Sequence, residues 1–424
     1  MLRKTLYMLS ILSIASTAFA SGYQISEYSA TNLGRAFAGA GLVGDDFSAL
    51  GYNPAGMSIN NKSGIQGGAA GILLHSDYKD NATGEKHSSK MGRVLPHFFT
   101  QYKLNDQWTV GAGIYTPYGL ITDYRNGWFG KQHGILSELK AVDFSPSVAY
   151  KPHEMITFGA ALNVQYADAR LTGSGYSNSL SVHGFGSSEY TTDLKGHDTT
   201  SLGYSLGVVL TPRKDLRLGV SYRSEVDHKI KGNIKFDFDN AAYSAMLNGK
   251  HNISAKITTP ELVLISGAYD VNEKLTLSAS ARWTRWTRFK NLDIIAEEAM
   301  LGGVRQPGMA ISQTHENWKN TWFYSIGADY KINDNWTVRL GTAYDETVIK
   351  APEYRTVRVP DGRRIFASVG LSYMTGNWQY DLGYTHVWMR AGDAKGGETG
   401  KEPANVHYNH SGAYIGGFSV QYKF

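Results

Sequence analysis

The chain has 424 residues, no cysteine, 47 glycines, 27 tyrosines and a formal charge of +5. Without cysteine there is no disulfide scaffold and no thiol chemistry, and so small a charge gives no electrostatic case for nucleic acid. The mean hydropathy of -0.32 and the lack of any run of about 18 apolar residues exclude a helical membrane protein, but not a barrel, whose alternating residues average out.

Residues 1–20 read as a secretory signal. Arg3 and Lys4 form its basic start, Leu6 to Ile14 its apolar stretch, and Ala18-Phe19-Ala20 its cleavage site. Removing Arg3 and Lys4 leaves 40 basic residues of 42 against 37 acidic ones, a net charge of about +3. Residues 21–61 follow as a Gly-rich segment of mixed polarity with no alternation, centred on Asn53-Pro54-Ala55. A non-strand segment ahead of a long series of strands suggests a barrel filled from within.

From residue 62 to 424 the dominant signal is period two. Ile156, Phe158, Ala160, Leu162 and Val164 oppose Thr157, Gly159, Ala161, Asn163 and Gln165. Leu218, Val220 and Tyr222 oppose Arg217, Gly219, Ser221 and Arg223, and Trp336, Val338, Leu340 and Tyr344 oppose Thr337, Arg339, Gly341 and Asp345. Trp378 to Trp388 alternates in the same way, and Tyr414, Phe418, Val420, Tyr422 and Phe424 close the chain on an aromatic. A soluble sandwich would turn the apolar side inward; a barrel in lipid turns it outward, with aromatic girdles at the strand ends.

The connections alternate in length. Short turns fall at Asn105-Asp106, Pro152-His153, Pro212-Arg213, Asn272-Glu273, Asn333-Asp334 and Gly376-Asn377, each with turn-forming residues. Longer polar loops are expected over Asp80 to Gly92, Ile121 to Ile135, Gly173 to His197, Asp237 to Lys250, Lys290 to Glu316, Ile349 to Val359 and Arg390 to Tyr408. Six turns and seven loops make fourteen strands, with both barrel ends on the short-turn side. The fold class is all-β, an antiparallel transmembrane barrel with an N-terminal plug.

Five short stretches resemble one family: Gly22-Tyr23-Gln24, Asn32-Leu33-Gly34-Arg35-Ala36, Asn53-Pro54-Ala55, Tyr222-Arg223-Ser224-Glu225-Val226 and Asp334-Asn335-Trp336. In this order, on a fourteen-strand count, they are similar to the FadL/TodX family of outer-membrane transporters for hydrophobic compounds. The resemblance implies a monomeric barrel plugged by an N-terminal hatch, in the outer membrane of a Gram-negative bacterium. It also implies passive uptake of long-chain fatty acids or, alternatively, neutral aromatic hydrocarbons, released sideways through the wall. The expected partners are that hydrophobic ligand and the surrounding lipid and lipopolysaccharide; no cofactor and no metal is expected.

Candidate residues follow from both arguments. Asn53, Pro54 and Ala55 would shape the hatch, since Pro fixes φ and Asn caps local backbone groups. Tyr23 resembles an aromatic that reaches from the N-terminus into the ligand pocket. Pro117, Tyr118 and Gly119 would mark a lateral gate, because Pro cannot donate to a sheet and Gly permits a bend. A carboxylate ligand needs a cation: Lys319 is placed inward by parity, with Trp318, Trp322, Tyr324 and Ile326 outward, and Arg223 and Arg339 share the inward side. The family's second pocket cation aligns with Gly173, and nearby Arg170 has the opposite parity. No Ser-centred motif accompanies His133, His315 or His386, so a hydrolase is not indicated.

Overall fold

The computed structural model describes residues 22–177, 186–300 and 306–424. The expected signal segment, 1–20, lies outside the described residues. The period-two segments pair with their sequence neighbours. β1 is Gly64–Asp80, β2 Lys86–Lys103, β3 Trp108–Asp123, β4 Leu136–His153, β5 Ile156–Ser177 and β6 Ser188–Arg213. Four strands are interrupted once. β7 runs over Leu216–Arg223 and resumes as Val226–Phe238; β8 comprises Gly249–Thr259 and Leu262–Asp270. β9 comprises Leu275–Thr284 and Asn291–Ala296, and β10 Ala310–His315 and Thr321–Lys331. β11 is Trp336–Asp345, β12 Arg363–Thr375, β13 Trp378–Arg390 and β14 Val406–Lys423. β14 pairs with β1 from Gly64↔Lys423 to Asp80↔Val406, so the fourteen strands close into a barrel.

Four of the six short turns stand where the sequence puts them, and the other two fall two residues later, at Glu154-Met155 and Lys214-Asp215. The loops are shorter than expected except the one between β11 and β12, which spans 346–362 against the expected Ile349 to Val359. β1 and β2 stay paired up to Lys79↔Lys86, inside the expected loop Asp80 to Gly92. β5 and β6 stay paired up to Ser177↔Ser188, inside the expected loop Gly173 to His197. Ladder hydrogen bonds join backbone groups, so a polar strand persists above the membrane once its pairing has begun.

Leu202, Leu206 and Leu210 project outward, as do Leu218 and Val220 beside them. Trp108, Trp336 and Trp378 open β3, β11 and β13 and pack against Tyr150, Tyr373 and Tyr422 at 4.4, 4.6 and 4.7 Å, forming the girdle at the short-turn end. Above the interruptions the polarity inverts. Ile230, Ile234, Phe236, Ile253 and Ile257 face inward, while Lys229, Lys231 and Lys256 face outward. Below the inversion the outer surface meets lipid; above it the outside is polar and the apolar side chains turn to the lumen.

Residues 22–60 lie inside the ring. α1 is Ala30–Gly34, capped by Ser29, whose hydroxyl accepts from the Asn32 N–H at 3.1 Å. α2 is Ala49–Tyr52; a 3-10 turn, Pro54–Gly56, and α3, Met57–Asn60, follow. Asp46 ties this segment together by accepting from Ser29, Thr31 and Ser48 at 2.5, 2.8 and 2.8 Å.

Candidate functional site

Two glycine belts let the inner segment touch the wall backbone to backbone. Gly327, Gly341, Gly370, Gly383 and Gly417, on five successive strands from β10 to β14, face Ala30 to Arg35. A Cβ on Gly34 would stand 2.7 Å from the Gly370 Cα. On the other side, Gly159, Gly207 and Gly219 of β5, β6 and β7 face Asn53-Pro54-Ala55. Asn53 caps its own turn by accepting from the Ala55 N–H at 3.0 Å, and its Nδ2 donates to the Val208 and Val220 carbonyls at 3.3 and 3.4 Å. Between the two anchored stretches, Ala36 and Phe37 take φ values of 53° and 64°. Each such residue costs about 1–2 kcal/mol of backbone strain.

Tyr23 sits at the centre of an apolar cluster in the upper lumen. Its ring meets Trp286 at 4.7 Å, Phe289 at 5.6 Å, Trp318 at 5.7 Å and Tyr118 at 6.1 Å, and its hydroxyl donates to the Thr258 carbonyl at 3.1 Å. Leu120, Leu139, Leu194, Ile230 and Val359 continue the same cluster. Directly below, a cavity of 40 Å³ is bounded by Ile25, Tyr28, Pro117, Tyr118, Arg223 and Arg282. That is room for about three waters, not for an acyl chain.

The wall opens beside Tyr23. β2 and β3 pair from Lys103↔Thr109 only to Phe98↔Ile114, although β2 runs on to Lys86. β3 bends at this point: its register against β4 shifts between Tyr115 and Tyr118, across Thr116 and Pro117. The inner segment takes the vacated pairing. The Ile25 N–H donates to the Pro117 carbonyl and the Gly119 N–H to the Tyr23 carbonyl, both at 2.8 Å. Tyr118 is fully buried, donates to the Pro260 carbonyl at 2.8 Å and lies under the Arg223 guanidinium at 5.6 Å. Above the bend, Arg93 of β2 reaches Glu138 of β4 at 2.5 Å across the gap.

Two of the three expected cations are occupied. Arg223 is ion-paired with buried Asp143 at 2.5 Å and donates to the Tyr115 hydroxyl at 3.2 Å. Arg339 lies low in the lumen, 2.9 Å from Asp45 and 2.6 Å from Asp329, where Arg35 also binds both carboxylates. The parity argument for Lys319 does not hold. Residues 316–320 interrupt β10, and Trp318, expected to face lipid, is buried in the Tyr23 cluster. Lys319 is partly buried, and its backbone N–H donates to the carbonyl of Val348, another cluster member, at 2.9 Å.

Arg358 was not singled out from the sequence. It comes from the loop between β11 and β12 and donates to Ser137 Oγ at 3.0 Å and to the Leu136 and Thr172 carbonyls at 3.3 Å. Its guanidinium lies over Gly134 and Gly173, so that a Cβ on Gly173 would stand 3.3 Å from its Nη2. Among the described residues no carboxylate lies within ion-pairing distance of it. The only sequence signal was its place between apolar residues in Val357-Arg358-Val359. Arg282, likewise missed, faces the small cavity, donates to Ser26 Oγ at 2.6 Å and lies over the Phe323 ring at 4.7 Å.

Comparison with known proteins agrees with this architecture. The family described as outer membrane protein transport protein (OMPP1/FadL/TodX) matches residues 11–424. A putative outer membrane protein of Neisseria meningitidis serogroup B is 29% identical over 100% of this chain and 99% of its own. The long-chain fatty acid transport protein of Escherichia coli K12 is 27% identical over 88% of this chain and 90% of its own. Among solved structures, a Pseudomonas aeruginosa FadL homologue superposes with a TM-score of 0.82 at 22% identity, covering 95% of this chain and 100% of that one. The Pseudomonas putida toluene transporter TodX superposes with a TM-score of 0.74 at 17% identity, covering 94% and 99%. The fold is the one these structures share, the site is an outer membrane, and the family is one of transporters of hydrophobic compounds rather than of enzymes. The chain belongs to the OMPP1/FadL/TodX family of outer-membrane transport proteins.

Proposed function

We propose that the protein takes up long-chain fatty acids passively and delivers them sideways into the membrane. The observation that carries this reading is the position of Tyr23, which fills the apolar cluster with its ring and pairs with the bend of β3 through its backbone. A ligand that displaces the ring disturbs the same ladder that borders the wall gap. Residues 22–60 act as the hatch in this scheme: Asn53, Pro54 and Ala55 stay anchored on their glycine belt while the stretch before Ser29 moves. Pro117, Tyr118 and Gly119 form the gate.

Each methylene leaving water for the cluster contributes about 0.8 kcal/mol, and a ligand passing from cluster to bilayer is never resolvated. No energy source is needed for such a route. For the carboxylate, Lys319 and Arg358 at the rim of the cluster are the anchors; Arg223 ties wall strands to one another, and Arg339 ties the wall to the hatch. The Escherichia coli relative is itself a long-chain fatty acid transport protein.

Neutral aromatic hydrocarbons are the second reading. The four rings around Tyr23 suit such a ligand, and one structural neighbour is a toluene transporter. A titration of refolded protein in detergent, followed by Trp fluorescence, separates the two. Oleate is expected to bind more tightly than oleyl alcohol and toluene, and to weaken in Lys319→Ala and Arg358→Met. Equal binding of oleate and its alcohol, or preference for toluene, moves the reading to neutral hydrocarbons.

A further inference from the structure

Above the membrane band, the outer face of β4 to β8 carries cations opposite cations. Lys229 of β7 pairs directly with Lys256 of β8. Lys231 pairs with His197 of β6, which stands opposite Asp168 of β5, itself opposite Lys140 of β4. One step higher, Lys195 of β6 lies opposite Arg170 of β5. The direction of these side chains is fixed by their neighbours: Ile230, Ile234, Ile257 and Leu194 are buried inward, so the residues between them project outward, and Lys229, Lys231, Lys256, Lys195 and His197 are exposed.

Like charges placed directly across a ladder destabilise it. Acids on this face offset only part of the charge. Asp193 serves both Arg170 and Lys195, at 3.0 and 3.1 Å, and Asp227 accepts from Thr258 at 2.6 Å. Among the described residues, Lys229, Lys231 and Lys256 have no carboxylate within 4.0 Å. Immediately below stand exposed Tyr166, Leu202 and Tyr204, the top of the lipid-facing band. The cations therefore stand at the height where the polar heads of the surrounding outer leaflet begin.

We propose that this face docks the phosphate groups of the phosphorylated glycolipid of the outer leaflet. Tyr166, Leu202 and Tyr204 meet its acyl chains, and Lys229, Lys231 and Lys256, with His197 beside them, meet its phosphates. An ammonium on a flexible stem suits a phosphate as a point charge, and several around one anion remove the repulsion the ladder otherwise carries. The surface is independent of what the lumen transports.

The test is a binding titration of folded protein in detergent with bisphosphorylated lipid A and with the same lipid A after phosphatase treatment. The triple variant Lys229→Gln/Lys231→Gln/Lys256→Gln is compared with wild type and with Lys214→Gln/Lys274→Gln at the opposite barrel end. Bisphosphorylated lipid A is expected to bind wild type and the control equally, at least tenfold more weakly to the triple variant, and more weakly to all in 0.5 M salt by screening, about a threefold shorter Debye length than at 0.05 M. Oleate binding is expected to be unchanged, which separates this outcome from any failure of the transport reading. The proposal is overturned if the triple variant binds as wild type does, or if dephosphorylated lipid A binds equally well.

Discussion

The backbone N–H of Gly119 donates to the carbonyl of Tyr23 at 2.8 Å. One hydrogen bond thus joins the residue whose ring fills the upper lumen to the residue where β3 has turned away from β2. Occupancy of the lumen and the shape of the wall belong to a single short ladder.

Gly119 is therefore the place to obstruct the route without harming the barrel. In Gly119→Leu, the added side chain is expected to reduce oleate uptake by cells to background. Heat-modifiable migration on gels, which reports the folded barrel, should persist. Unchanged uptake would remove Gly119 from the gate.

The Arg93–Glu138 pair spans the gap and is only about one quarter exposed on either side. As an ion pair it contributes about 0.2–1 kcal/mol at most, so its deletion should hardly alter stability. Its position makes a better handle. The chain has no cysteine, so Arg93→Cys/Glu138→Cys can be bridged selectively by a short bis-maleimide. Bridging is expected to keep oleate binding and to stop release into vesicles; release at the wild-type rate would show that ligand leaves elsewhere.

Gly207 faces the Asn53 side chain, and an added Cβ would overlap Asn53 Oδ1. Gly207→Ala should destabilise the barrel by about 1–3 kcal/mol through overpacking, read as a lower urea midpoint. Asn53→Ala removes both the colliding atom and the cap, costing about 1 kcal/mol alone. The double variant is expected to lose less than the two single losses added together. Strict additivity would mean that the turn and the belt are not in contact.

Glu316 lies in the interruption of β10, above the membrane band. Burial pushes its pKa from 4.5 up to about 7, against the Trp318 N–H donated to its carboxylate at 3.0 Å. A carboxyl with a raised folded pKa binds its proton more tightly folded than unfolded, so stability falls as pH rises from 4.5 to 7. The stabilisation is fully present below pH 4.5, and the loss across that window is about 3 kcal/mol. Glu316→Gln is expected to flatten the dependence of the urea midpoint on pH between 5 and 8; an unchanged slope would assign it to other groups.

The barrel was legible because period two survives any loop length. Ile156 to Val164 and Trp378 to Trp388 needed no partner to declare their faces. The strand tops were not legible, since Lys229 and Lys231 alternate with Ile230 as clearly as lower residues do, but with the sides exchanged. Trp318 was misread for a related reason: an aromatic next to a strand looks lipid-facing until an interruption turns it inward. The glycine belts could not be read at all, because Gly159, Gly207 and Gly219 come together only across three strands. Arg223 was rightly placed inward, yet its partner, Asp143, is 80 residues away in sequence.

The exchange of faces above the membrane band also fixes how deeply the protein sits. The residues that stop the barrel from sinking are the neighbours, one position along the same strands, of those that line the apolar lumen. Inserting two residues into β7 between Tyr222 and Lys229 would raise the pocket floor and the waterline together. A difference in bilayer thickness can therefore be met below the exchange, in the girdled half, where strand length can alter without redrawing the pocket.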